Sequence, residues 1–193
     1  REYMVGKDSP DLRAKVKIIG AAIQQPFYTE MRTNQQLGYI VWSYSSAKDE
    51  THFLSFLIQS GEYSADNVNE RAEKFISTAH NIFDNMDGET FAQLIKSEIE
   101  KLEKSPMSIY ERSVKLKNII FENEADYLRD QKTIEALNSL EKESVISLLN
   151  KIISPQTRRM INVLSFAENH KNTTGTKTSF DDLATWKKSR AYE

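Results

Sequence analysis

Three histidines, His52, His80 and His170, are the side chains best suited to hold a metal or move a proton, and they lie far apart in the chain. Neither His-Glu-x-x-His nor its inverted form His-x-x-Glu-His occurs, so no helix face offers the paired imidazoles of a peptidase zinc site. His80 and Asp84 stand four apart on a predicted helix and could jointly touch an ion. Two ligands make a poor site, however, and a solvated hydrogen-bonded pair is the favoured reading. His52 at a strand start and His170 in a loop carry no partner signal. The carboxylates Glu98, Glu100, Glu103, Glu122, Glu124 and Asp126 fall on polar helix faces and read as solvated charge. There is no Gly-x-Ser-x-Gly elbow, no glycine-rich phosphate loop and no dinucleotide fingerprint. With no cysteine in the chain, disulfides, thiolate zinc sites, iron–sulfur clusters and cysteine nucleophiles are all excluded. The sequence therefore holds no self-contained active site.

One segment is different. Residues 27–41 read Phe-Tyr-Thr-Glu-Met-Arg-Thr-Asn-Gln-Gln-Leu-Gly-Tyr-Ile-Val. This run resembles the signature of the C-terminal half of the pitrilysin/insulinase (M16) family of zinc metallopeptidases, in which Arg-Thr-x-x-Gln-Leu-Gly-Tyr enters a strand. Arg32, Thr33, Gln36, Leu37, Gly38 and Tyr39 stand in register, followed by the apolar Ile40 and Val41. Gln25-Pro26-Phe27 upstream and Ile58-Gln59-Ser60 closing the next strand agree with it, and Phe180, Asp181, Asp182 and residues 186–188 are similar to the family's C-terminal end.

The resemblance implies a substrate-binding, transition-state-stabilising C-terminal domain of a zinc-dependent metalloendopeptidase that degrades peptides in a closed chamber. Arg32 and Tyr39 then match the family residues that reach the scissile peptide, and both donate hydrogen bonds suited to a carbonyl gaining negative charge. Tyr28 matches an aromatic of the pocket beyond the cleaved bond. Zinc is expected in the intact enzyme, on ligands outside this chain, with none bound here. Peptide substrates and the N-terminal catalytic half of the same enzyme are the implied partners. The resemblance leaves periplasm or cytoplasm open and favours the periplasm. The alternative is a non-catalytic peptide-binding or scaffold domain of an inactive family member. Without the resemblance, Arg32 reads as a surface ion-pair former, Tyr39 as an ordinary strand aromatic and Gly38 as a site of close backbone approach.

The elements that must position these residues follow from periodicity. Residues 1–6 end a strand, and Ser9-Pro10 starts a helix whose stripe is Leu12, Val16, Ile19, Ala22, Ile23 and Phe27. Pro26 is expected to bend or end it near Gln25. Residues 37–46 and 52–60 form an antiparallel hairpin, with Tyr39 inside its first strand. One long helix then runs from Ser64 to Met86, followed by helices carrying Phe91 to Leu102 and Ile109 to Phe121, the latter opened by Ser105-Pro106. Helices over 126–137 and 141–153 come next, the last capped by Ser139, and 158–166 is a closing strand. The expectation is one α+β domain over 1–193, a two-layer sandwich with helices on one face of an antiparallel sheet, and a loop and tail at 169–193. The opening Arg1-Glu2-Tyr3-Met4 reads as a piece of a larger chain. Twenty-six basic against 28 acidic residues argue against a nucleic-acid binder. No apolar run approaches the roughly 18 residues of a membrane span.

Overall fold

Ser9 and Pro10 set the start of the first helix. The computed structural model describes residues 1–170, so the expectations for 171–193, including Phe180, Asp181, Asp182 and 186–188, lie outside the described residues. β1 (Glu2–Lys7) leads to Ser9, whose hydroxyl accepts the Leu12 amide at 3.1 Å, and Pro10 takes a position where its missing N–H costs nothing. α1 (Pro10–Tyr28) buries Val16, Ile19, Ala22, Ile23 and Phe27 of the expected stripe, together with Ile18. Each large side chain so buried is worth about 1.5–3 kcal/mol, so this face binds the helix to the sheet.

Pro26 does not end α1 near Gln25. The helix continues to Tyr28 and widens into a π-type turn over Thr29–Asn34. Proline forfeits only its own amide bond, and the Thr29 amide still reaches the Gln25 and Pro26 carbonyls. Phe27 and Met31, both wholly buried, anchor the chain on either side. Their burial outweighs a propensity cost of about 3 kcal/mol.

The hairpin is β2 (Ile40–Lys48) and β3 (Thr51–Gln59), antiparallel and in register from Ile40↔Gln59 to Lys48↔Thr51. Asp49 and Glu50 form its two-residue loop with φ of 48° and 59°, the mirror-image turn that matches strand twist. With β4 (Arg159–Ile161), shorter than the expected 158–166, the sheet order is β2-β3-β1-β4. α1 crosses from β1 to β2 while β3 lies between them. Gly20 lets it press on β2, since a Cβ there would meet the Ser45 hydroxyl at 2.9 Å. Tyr3, Val41, Leu54 and Phe56 face the helices, whereas Met4, Trp42, Tyr44 and Leu57 stand exposed on the other face.

The single long helix expected after Ser64 is two: α2 (Ala65–Ser77) and the short α3 (Asn81–Asp84). The Ser77 and Thr78 hydroxyls bond back to the Lys74 and Phe75 carbonyls and divert the backbone into tighter turns. α4 (Gly88–Glu103) starts at Asp87, which accepts the Thr90 amide at 2.7 Å. α5 (Ile109–Lys117) is capped by Ser108, not Ser105, and Ile109 and Phe121 are 87% and 76% exposed rather than buried. α6 (Arg129–Asn138) and α7 (Lys142–Ile153) follow. Ser139 does not cap α7; its hydroxyl returns to the Glu135 and Ala136 carbonyls and closes α6. Glu98 is not on a solvated face either. It is buried in α4, its charge met by Lys101 Nζ at 2.5 Å. The result is an α+β fold, an antiparallel sheet layered with helices.

Candidate functional site

The link from α1 to β2 is held at both ends by apolar anchors, Met31 and Leu37, each fully buried. Between them the chain makes wide turns: the Gln35 amide bonds the Glu30 carbonyl at 3.0 Å and the Leu37 amide the Met31 carbonyl at 2.9 Å. The Glu30 carboxylate accepts Gln35 Nε2 at 2.7 Å and Asn34 Nδ2 at 2.8 Å, and these two donors hold its pKa below the ordinary value. Gln36 takes a left-handed φ of 52°. Gly38 then lies so close to the end of β3 that any Cβ would collide with the Gln59 carbonyl.

This turn brings Arg32 and Tyr39 together. The Arg32 guanidinium carbon lies 5.7 Å from the centre of the Tyr39 ring, within cation–π reach. Tyr39 stands one residue before β2, not inside it, because strand pairing begins at Ile40↔Gln59. Freed from the sheet, its side chain is 85% exposed and is not packed against the domain's own helices. Both groups present hydrogen-bond donors at an open corner of the domain.

Tyr28 belongs to a neighbouring cleft of about 530 Å³ between α1 and β2, lined by Gln24, Gln25, Tyr28 and the β2 residues Val41, Trp42, Ser43 and Tyr44. The Ser43 hydroxyl there is buried with no hydrogen-bond partner. No motif marks Ser43 or Gln24 in the sequence.

A second polar group joins α1, β3 and α6 to the link between β1 and α1. The Asp8 carboxylate receives Arg13 at 2.6 Å, both terminal nitrogens of Arg129 at 2.7 and 3.0 Å, and His52 Nε2 at 2.6 Å. Burial pushes the Asp8 pKa up, but the hydrogen bonds from Arg129 and His52 and the charges of Arg129 and Arg13 win and hold it below the usual value. His52, without a partner signal in sequence, is thus a buried structural residue, and only the folded contact reveals it. His80 immediately precedes α3, and its backbone carbonyl, not its ring, meets Asp84 through the Asp84 amide. Among the described residues no group of three His, Asp or Glu side chains is placed to hold a metal ion.

The chain is thus an antiparallel sheet backed by helices, and the turn that enters its edge strand carries Arg32 and Tyr39. The chain belongs to the family described as PQQ synthase PqqF-like, C-terminal lobe domain 4, whose model matches residues 18–117. Protease 3 of Escherichia coli O6:H1 is 24% identical over 167 residues, covering 86% of this chain and 17% of that protein. Human insulin-degrading enzyme is 28% identical over 158 residues, covering 81% and 15%. The crystal structure of pitrilysin has the same fold, with a TM-score of 0.69 and 22% identity over 78% of this chain and 16% of that one. The chain thus spans about one sixth of the length of these relatives.

Proposed function

We propose that this chain is the non-zinc-binding C-terminal domain of a larger zinc metalloendopeptidase, and that it binds peptide substrate and stabilises the transition state. The observation that carries this reading is the Arg32–Tyr39 pair, 5.7 Å apart, with the phenol offered to solvent on a braced turn. Attack on a peptide carbonyl places negative charge on its oxygen. A guanidinium and a phenol aimed at that oxygen bind it more tightly as the charge grows, which lowers the barrier. In the intact enzyme a zinc ion held by residues outside this chain would supply the activated water. The partners are a peptide and the N-terminal half that carries those ligands, and Tyr28 lines the space beyond the cleaved bond.

Tyr39→Phe in the full-length enzyme is the test. It removes one hydroxyl and keeps the ring, so kcat falls with KM and zinc content little changed. An unchanged kcat overturns the role. If the full-length reading frame lacks a His-x-x-Glu-His, the chain instead serves a peptide-holding module without catalysis.

A further inference from the structure

β2 is the edge strand of the sheet, and among the described residues nothing pairs with its outer side. The hairpin register says which backbone groups are left over. Lys48↔Thr51 closes a two-residue loop and is a hydrogen-bonded pair, so bonding alternates back along the strand. Ile40, Trp42, Tyr44 and Ser46 then spend their N–H and C=O groups on β3. Val41, Ser43, Ser45 and Ala47 direct theirs outward. The Phe56 amide, opposite Ser43, turns away from β2 to the Arg1 carbonyl at 2.8 Å, as this alternation demands. No proline or bulge blunts the edge.

Beside these free groups lies the cleft of about 530 Å³ between β2 and α1. Its wall holds the Ser43 hydroxyl, 97% buried by the residue's 3% exposure and without a partner. A buried hydroxyl left so is costly, and a bound polar group would recover that cost. The exposed Gln24 and Gln25 add amide groups that can both donate and accept.

We infer that β2 binds an extended peptide segment as an added strand, with a small polar side chain of that segment entering the cleft to bond Ser43. This deepens, and rests on, the reading of the chain as a peptide-handling domain. Backbone pairing supplies sequence-tolerant affinity, and the cleft supplies the preference for a small polar residue.

The probe is a labelled, end-blocked peptide, acetyl-Lys-Thr-Val-Ser-Val-Thr-Lys-amide, added to the 193-residue chain. Saturation should slow hydrogen exchange at the amides of Val41, Ser43 and Ser45 by roughly tenfold or more, with little change at Trp42 and Tyr44. N-methylation of alternate peptide residues, which leaves the protein untouched, should weaken binding at least about tenfold. Ser43→Val should weaken the parent peptide but not a version with alanine for its serine. Equal affinity of the N-methylated peptide, protection elsewhere, or no saturable binding overturns the inference. So does edge protection without peptide in a chain that light scattering shows to be dimeric, which would assign the edge to a second copy. The readout is binding, so it stands or falls separately from the kcat of Tyr39→Phe.

Discussion

Alanine at Gly38 is the sharpest structural perturbation available near the Arg32–Tyr39 pair. Its Cβ would collide with the Gln59 carbonyl oxygen and lie 2.7 Å from the Gln59 carbonyl carbon and 3.2 Å from Ser60 Cα. These are backbone atoms, so no side chain can swing aside and the segment from Leu37 to Tyr39 must lift by about 1.5 Å to regain ordinary contact. That movement breaks the first ladder pair, Ile40↔Gln59, at about 1 kcal/mol, and uncovers part of the fully buried Leu37 at about 1–2 kcal/mol. A destabilisation of about 2–3 kcal/mol is expected by urea unfolding followed by circular dichroism. Gly61→Ala, with open space around its Cβ, is the control and should stay within about 0.5 kcal/mol of the parent. In a full-length enzyme the same shift displaces Tyr39, and a misplacement of about 1 Å can cost 10²-fold in rate. A Gly38→Ala chain with the urea midpoint of the parent would refute the close-approach reasoning.

Asp8→Asn leaves Arg13 and Arg129 facing a neutral partner, and a loss of about 3 kcal/mol is expected in urea, the low end for a buried ion pair because the Asp8 side chain stays 15% exposed. Because the Asp8 carboxyl is held below its usual 3.8, its stabilisation is complete above that pH and is lost as pH falls through the lower folded value. Acid titration should therefore unfold the parent across that range, with a shallower fall for Asp8→Asn; parallel curves would contradict it. Asp49→Asn combined with Glu50→Gly suits both left-handed positions and gives up the exposed Lys7–Glu50 pair at 3.1 Å and the exposed Glu50–Glu124 carboxyl contact, so a net gain of roughly 1 kcal/mol is expected by thermal unfolding. A lower Tm would contradict it.

Local chemistry was legible in the sequence wherever one residue decides the outcome. The Ser9-Pro10 start, the hairpin between two β-branched and aromatic runs, and the α1 stripe all appear where their residues place them, because capping, turn formation and amphipathic burial act within a few positions. Features that depend on distant partners were not legible. Pro26 stays helical because Phe27 and Met31 are buried by other elements, and Glu98 and His52 are interior because Lys101 and Asp8 meet them. The long helix after Ser64 breaks because two hydroxyls compete with its own ladder, an effect that apolar spacing does not register. At the site, the motif identified Arg32 and Tyr39 and their proximity followed from the turn. Ser43 is an ordinary strand serine by sequence, and its unpaired hydroxyl depends on how α1 lies against β2.

The central claim is that Arg32 and Tyr39 act on one developing oxyanion. A double-mutant cycle in the full-length enzyme with Arg32→Gln and Tyr39→Phe tests it most directly. Each single change is expected to lower kcat by about 10²–10³-fold. The two together should fall short of the product of the single losses by about tenfold or more, the mark of groups sharing one target. Losses that multiply in full, or a full kcat in either single variant, would contradict it.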